Sequence, residues 1–196
     1  MSIRRIPCSR ALLAAALSLS ATAVAAPVVY EIDPTHTYPS FEADHMGVSV
    51  WRGKFNRSSG QITLDRKAQA GSVEVVIDTA SIDYGLDAMN DEARKDTLLD
   101  TAKFPQATYK GALADFRDGA PTRVKGELTL HGVTRPVDLT IKRFKCIPHP
   151  LNKREMCGAD AYGDFQRDAF GMDAGKEYGF DMTVSLRIQV EATQKP

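Results

Sequence analysis

Alternation of apolar and polar residues near the end of the chain is the feature that most constrains its fold. In GFDMTVSLRIQVEA, residues 179–192, every second residue from Phe180 to Val190 is apolar and those between are polar. A period of two places all the apolar side chains on one face of an extended strand. The segment therefore predicts a β-strand with one dry face and one solvated face.

Shorter runs with the same period recur along the chain, and turns containing glycine separate them. They are GQITLD (60–65), GSVEVVID (71–78), ATYKGALADF (107–116), RVKGELTL (123–130) and RPVDLTIKRF (135–144). Strands of this length and spacing are typical of an antiparallel barrel or sandwich, here with about eight strands. The run at 179–192 is then the expected closing strand, with Met182, Val184, Leu186 and Ile188 turned inward.

One segment breaks the pattern. GLDAMNDEARKDTLLD, residues 85–100, is rich in helix formers, and Asp87 is a plausible N-cap. We expect a single helical insertion of about three turns, ended before the next strand by Pro105. The predicted fold class is therefore all-β, with one short helix.

The size of the residues on inward positions bears on what fills such a barrel. A closed barrel of about eight strands has an interior that side chains can just fill, or that can hold one small ligand. Ala43, Ala107, Gly111 and Gly126 would leave room inside. Small residues also let bulky neighbours interlock, so periodicity leaves both interpretations open.

The N-terminal segment predicts export. Arg4, Arg5 and Arg10 precede an apolar run at 11–19, and AVA at 23–25 fits a signal-peptidase site. This pattern is typical of a secretory signal peptide. We expect residues 1–25 to be cleaved off, and residues 27–196 to form a single domain.

Two of the three cysteines, Cys146 and Cys157, remain after that cleavage. In an oxidising compartment they favour a disulfide. A zinc site made by Cys146, His149 and Cys157, with Asp160 nearby, is the alternative, but its spacing fits no familiar metal motif. We predict the disulfide and no metal.

Charge and motifs exclude several functions. The 25 basic and 25 acidic residues are interspersed, without the basic patch of a nucleic-acid-binding protein. No segment after the signal peptide is long and apolar enough to anchor the chain in a bilayer. Serines lack a nucleophile-elbow context. Asp44 and His45 are neighbours on a strand and point to opposite faces, so we expect no dyad. We predict no catalytic residues and no cofactor.

Several stretches together resemble the YceI-like family. They include YEIDPTHTYPSFEADHMGVSVWRGKF (30–55), GELTLHGVTRPVDLTI (126–141) and RDAFGM (167–172), and the likeness extends in order over 28–192. The resemblance implies an extended, lipocalin-like antiparallel barrel with a helix covering one end. It also implies binding of a long polyisoprenoid chain, such as a polyprenyl phosphate or a quinone tail. Family members are commonly exported by bacteria, which implies a periplasmic location.

The helical segment departs from the family pattern. Many members carry R-D-x-H-L-R-S followed by D-F-F, where this chain reads MNDEARKDTLLD. Glu92 replaces the histidine and Ala93 the leucine, and Leu98 and Leu99 replace the two phenylalanines. We expect the departure to alter the width of the barrel mouth.

Ligand-binding candidates are chiefly apolar and aromatic side chains expected on the inner face or around the mouth. His45 is the exception, as a group to hold the polar head of a ligand. Alternatively, its hydrogen bonds are made within the fold and it has no role in binding. The candidates are Phe41, His45, Trp51, Phe55, Leu86, Met89, Leu98, Leu99, Phe104, Tyr109, Phe170 and Phe180.

The predicted function is storage or transport of an isoprenoid lipid or quinone by a periplasmic protein. The expected partners are that lipid, a membrane touched transiently, and a second copy of the chain in a homodimer. One alternative is an enzyme that acts on a lipid or quinone inside the barrel. The other is a structural or stress-response barrel with a packed interior.

Overall fold

The computed structural model describes residues 26–196, so the predicted signal peptide lies outside the described residues. They form β-strands, short 3₁₀ turns and an α-helix, α1, at Asp87–Arg94. The strands are β1 Val28–Ile32, β2 Ser40–His45, β3 Ser49–Phe55, β4 Ser58–Asp65, β5 Ala70–Asp78, β6 Ile82–Asp83, β7 Gln106–Ala114, β8 Arg123–Leu130, β9 Val133–Pro136, β10 Leu139–Pro148, β11 Glu155–Gln166 and β12 Thr183–Gln194. The 3₁₀ turns are Thr79–Ser81, Arg167–Phe170 and Lys176–Tyr178.

Eight strands close into an antiparallel barrel. The hydrogen-bonded order is β1-β4-β5-β7-β8-β10-β11-β12, and β12 pairs back with β1 at Tyr30 and Gln194. β12 also pairs with β11 along almost its whole length, from Thr183 to Thr193. The predicted all-β barrel is confirmed, and the alternating run at the end of the chain is the strand that closes it.

β1 pairs with only the C-terminal part of β12, and the N-terminal part pairs with a ribbon of β2, β3 and β6 that lengthens the wall. β2 pairs with β12 where Ala43 lies opposite Val184, β3 pairs with β2, and β6 pairs with β3. β1 and β2 therefore follow each other along the same edge of β12, with one bridge between them at Tyr38 and Gln189. This ribbon and α1 lie at the same end of the barrel, because β6 leads directly into the helix.

The helical insertion is confirmed, but it is shorter than predicted. α1 has 8 residues, about two turns, and Leu86 occupies the N-cap position without a side-chain cap hydrogen bond. The assignment of Asp87 as N-cap is wrong, because Asp87 is already helical. The turn before the helix is held instead by the Asn90 side chain, which accepts a hydrogen bond from the Tyr84 N–H at 2.7 Å. Within residues 26–196, no helix has the length and apolar character needed to cross a membrane.

Two glycines expected to leave room inside the barrel do not. A Cβ atom on Gly126 would lie 2.4 Å from the hydroxyl oxygen of Tyr109, and one on Gly111 would lie 2.6 Å from Cγ1 of Val124. Bulky neighbours therefore occupy the space that these glycines vacate. The Tyr109 ring is fixed there, since its hydroxyl donates a hydrogen bond to the Val137 carbonyl at 2.8 Å.

Cys146 and Cys157 lie directly opposite each other on β10 and β11. Their sulfur atoms are 2.03 Å apart, at bonding distance, which supports the predicted disulfide. His149, the third ligand of the zinc alternative, lies in the turn of this hairpin. Its Nδ1 accepts the Leu151 N–H at 3.2 Å, so the histidine organises the turn.

Candidate functional site

A large cavity occupies the interior of the barrel. Its volume is about 560 Å³, and the inward-facing residues of the barrel strands line it. Alternate residues of β12 from Val184 to Ala192 all lie on this lining, so the dry face of the closing strand faces the cavity. Met182 is buried but precedes the strand and lies off the lining. At about 3.3 Å per residue, the lined part of β12 extends over about 26 Å.

The cavity is apolar along its walls and charged only toward one end. Leucine, isoleucine, valine, alanine and phenylalanine make up most of the lining. The charged lining residues among those described are Asp44, Glu92 and Arg167. This end is open to solvent, since the lining residues Trp51 and Tyr178 are 38% and 70% exposed. We call it the mouth; it is framed by the β2–β3 turn, α1 and residues 167–180. A pocket of this size and polarity suits an elongated molecule with one polar end.

An aromatic cluster forms one side of the mouth. The rings of His45 and Trp51 stack with centroids 4.0 Å apart, and the Phe180 ring meets His45 edge-on at 5.3 Å. Trp51 and Phe180 line the cavity, whereas His45 lies behind them. Within residues 26–196, His45 makes no ion pair with a carboxylate.

Seven of the twelve candidate residues lie on the cavity lining. They are Phe41, Trp51, Phe55, Leu98, Leu99, Tyr109 and Phe180. Glu92 and Ala93 of α1 lie there too, so all four positions of the helical segment that depart from the family pattern, two in α1 and two after it, border the cavity. Whether any of these side chains contacts a ligand stays a prediction.

The other five candidates lie off the lining, each for a local reason. His45 stacks behind Trp51, and Leu86 is 56% exposed at the start of α1, where Met89 is half-buried. Phe104 packs against the ring of His131, with centroids 4.6 Å apart. Phe170 is buried beneath the lining residue Phe165, with centroids 5.2 Å apart.

Sequence reasoning missed Arg167 and Tyr84, which both line the mouth. Arg167 begins a 3₁₀ turn after β11, and Tyr84 follows the two-residue strand β6. Neither lies in an alternating run from which an inward direction could be read. The Tyr84 ring meets Phe41 edge-on at 5.6 Å, which fixes it inside the wall. Arg167 is the first residue of the RDAFGM motif, and that family resemblance was the signal that could have pointed to it.

At the end remote from the mouth, the lining residue Tyr30 is joined to a polar network whose charged members, Arg66 and Glu155, lie off the cavity lining. Tyr30 is 1% exposed, and its hydroxyl donates a hydrogen bond to the Glu155 carboxylate. Arg66 also donates to that carboxylate, at 3.1 Å. Burial and the hydrogen bond to Glu155 raise the pKa of Tyr30 to about 12. Burial acts to raise the pKa of Glu155 as well, but the hydrogen bonds from Tyr30 and Arg66 outweigh it and leave that pKa below its usual value.

We expect the stability that Tyr30 contributes to the fold to be lost as pH rises from about 10 to about 12. An unfolded tyrosine loses its proton near pH 10, whereas folded Tyr30 keeps its proton to about pH 12. The unfolded chain therefore binds fewer protons in this window, so the stabilisation is complete below pH 10 and is lost as pH rises through 12. Denaturant unfolding across this range should show a shallower decline for Tyr30→Phe than for the wild type. Equal slopes would contradict the assignment.

Comparison with known proteins identifies the family. The family model for the YceI-like domain matches residues 30–193, almost the whole described chain. The chain belongs to the YceI-like family. Among its relatives, protein YceI of Escherichia coli is 33% identical over 185 residues, covering 92% of this chain and 94% of that protein. A UPF0312 protein of Vibrio cholerae is 33% identical, covering 93% of this chain and 95% of the relative. The resemblance inferred from sequence is thus confirmed.

Solved structures of YceI-like proteins and related domains share the barrel. BcnA of Burkholderia cenocepacia superposes with a TM-score of 0.65 at 26% identity, covering 83% of this chain and 99% of BcnA. A domain of Saccharophagus degradans, described as polyisoprenoid-binding, gives a TM-score of 0.61 at 20% identity, covering 86% and 99%. At that identity the second match establishes the fold alone.

Proposed function

We propose that this protein is a periplasmic lipid carrier that holds a long isoprenoid chain inside its barrel, for storage or transport. The observation that carries the proposal is the cavity of about 560 Å³, apolar along about 26 Å of β12 and charged only at its mouth. A tail that enters at the mouth would lie along β12, out of contact with water.

The energetics favour a long, flexible apolar chain. Each buried CH₂ group contributes about 0.8 kcal/mol of transfer free energy. Part of that gain is offset by the lost freedom of the ligand, so affinity rises with the length of chain that the tunnel covers. The walls offer few polar partners, and specificity for the tail therefore depends on the length and width of the tunnel.

Two further observations support this function. The description of the Saccharophagus domain as polyisoprenoid-binding suggests the same ligand class for a barrel of the same fold. The N-terminal signal pattern and the paired sulfurs of Cys146 and Cys157 suit an oxidising compartment outside the cytoplasm. The periplasm is such a compartment in bacteria.

The rim of the mouth suits transient contact with a membrane, from which such a lipid would be collected. The β2–β3 turn and the start of β3 expose Met46, Val48 and Val50, which are 51%, 82% and 48% exposed. Exposed apolar residues grouped beside a binding site commonly mark an interaction surface. We infer that this turn touches the bilayer during loading. Homodimer formation stays a prediction.

The alternatives have less support. An enzyme acting inside the barrel would need an acid–base pair, and the histidine at the mouth stacks on Trp51 instead. A packed structural barrel would have its interior filled by side chains, which a cavity of about 560 Å³ contradicts. The binding function is therefore the one that the geometry supports best.

Native mass spectrometry of protein purified from its host tests the proposal. We expect a co-purifying mass that matches an isoprenoid lipid. Delipidated protein should also take up a polyprenyl lipid from phospholipid vesicles, while vesicles without that lipid serve as the control. No co-purifying lipid together with no uptake would overturn the proposal.

A further inference from the structure

The guanidinium of Arg167 is fixed in the wall of the mouth. Its Nη1 donates a hydrogen bond to the Met172 carbonyl at 2.8 Å, and its Nη2 donates to the Ala174 carbonyl at 2.6 Å. The Arg167 backbone N–H also bonds the Met182 carbonyl at 2.8 Å. These bonds hold the side chain on the cavity lining before any ligand arrives, so a ligand would not bear the full cost of ordering it.

The positive charge of Arg167 lacks a direct counter-ion. Among residues 26–196, no carboxylate oxygen lies within 4.0 Å of its nitrogens. The adjacent Asp168 is bonded to Lys176 at 2.6 Å. Burial lowers the pKa of Arg167, against opposing effects of Tyr84, Asp168 and Asp173, yet an arginine stays charged at physiological pH. A half-buried cation without a partner is costly unless a ligand supplies the anion.

The acidic residues at the mouth are already engaged. Both carboxylate oxygens of Asp44 accept the Gly47 N–H, at 2.9 and 3.1 Å. Glu92 is paired with Lys95. Both carboxylates therefore already have local partners. Arg167 is the charged lining residue that still has hydrogen-bond donors to offer.

Three of the five guanidinium N–H groups have no acceptor among the described residues, since two donate to carbonyls. Tyr84 lies on the same lining, and its hydroxyl has no hydrogen bond from the described chain. An arginine fork matches the paired oxygens of a phosphate, and charge-assisted hydrogen bonds are about twice as strong as neutral ones. A neutral quinone carbonyl would gain less from the same group.

We propose that Arg167, with the Tyr84 hydroxyl beside it, binds the anionic head group of the isoprenoid ligand, a phosphate ester, at the mouth of the tunnel. The inference rests on the proposed function, because it places the head of the lipid whose tail fills the cavity. It goes further by separating a phosphorylated isoprenoid from a quinone or a free alcohol. The acceptor oxygens would lie against Arg167 while the first isoprene units pass Trp51 and Phe180.

The test compares three ligands of equal chain length, a polyprenyl phosphate, the polyprenol and a quinone, on the delipidated full chain. Trp51 is the single tryptophan and lines the cavity, so its fluorescence reports binding. Arg167→Gln should weaken phosphate binding roughly tenfold or more and change polyprenol binding by less than about twofold. Arg167→Lys should recover part of the loss. Arg187→Gln removes an equal charge from a β12 residue off the cavity lining and should change neither affinity.

The outcomes separate this inference from the proposed function. Equal losses for phosphate and polyprenol would mean that Arg167 only supports residues 172–174, and would overturn the inference. Unchanged phosphate binding, or a loss confined to the quinone, would overturn it as well and leave the lipid-binding function standing. Failure of every ligand to bind the wild type would overturn both.

A measurement on the wild type keeps the inference testable if the Arg167 variants do not fold. The phosphorus NMR signal of the bound polyprenyl phosphate can be followed with pH. An adjacent guanidinium favours the dianion, so we expect the second pKa of the bound phosphate to fall below its usual value of about 6. An unshifted titration would place the head group in solvent and contradict the assignment.

Discussion

Replacing Ala161 by phenylalanine is expected to lower the affinity for a long isoprenoid chain about 100-fold or more. Ala161 lies halfway along the tunnel, opposite Ile141 on β10 and Ile188 on β12, and all three line the cavity. A phenyl ring there would stop the tail from reaching the inner half of the tunnel. A 100-fold loss is about 2.8 kcal/mol, which corresponds to only about four buried CH₂ groups. Titration with isoprenoids of increasing length, followed by Trp51 fluorescence, measures this loss of affinity.

Chain length is the internal control in this experiment. Short chains that occupy only the mouth half should bind Ala161→Phe nearly as well as the wild type. Overpacking will also cost about 1–3 kcal/mol of folding stability, which thermal unfolding can follow separately. Asp160→Phe places the same ring at the adjacent residue, which is off the cavity lining and contacts Arg143 at 3.6 Å. A similar loss of affinity for long chains in both variants would contradict a tail that passes Ala161. An unchanged affinity of Ala161→Phe for long chains would contradict it as well.

Local periodicity was enough to predict six of the eight barrel strands, including the closing strand β12, whereas β1 and β11 lay outside the alternating runs. Alternation is a property of neighbouring residues, and an antiparallel barrel with one dry interior preserves it in every strand. Whether the interior is filled or hollow is not local, because it depends on how strands far apart in sequence pair around the ring. Gly126 illustrates this: its missing side chain makes room for Tyr109 on the neighbouring strand and leaves no cavity.

Positions where strands end were the least predictable part of the site. His45 shares its parity with Phe41 and Ala43, but it is the last residue of β2, where Met46 and Gly47 turn the chain with positive φ angles of 56° and 69°. The ring therefore stacks behind Trp51, although parity alone suggested an inward direction.

Arg167 shows the same limit. Its place on the lining depends on the fold of residues 172–174, whose carbonyls hold its side chain, and no periodic pattern describes a loop of that kind. Arg167, which the geometry favours as the head-group residue, was thus part of the RDAFGM motif, but the sequence indicated only a family resemblance there. The apolar faces of the strands were the predictable part of the site, and the hollow between them was not.

Replacing both Cys146 and Cys157 by alanine is expected to lower the free energy of unfolding by about 3 kcal/mol. The two residues are 11 apart in sequence and face each other across β10 and β11, so their bond closes one small loop. In the chain-entropy model, that closure restricts the unfolded chain, and its loss stabilises the unfolded state. Denaturant unfolding of the oxidised wild type and the double variant measures the difference.

Reduction provides the matched comparison. A reducing agent should bring the wild type close to the double variant and leave the variant itself unchanged. It also tests metal binding by these cysteines, because the structure groups Cys146 and Cys157 with Glu155, rather than with the predicted His149, closely enough to hold an ion if the thiols are free. Glu155 is already bonded by Tyr30 and Arg66, which compete with a metal for its oxygens. Zinc added to the reduced protein should therefore not restore its stability, and a restored melting temperature would show that these cysteines serve as metal ligands.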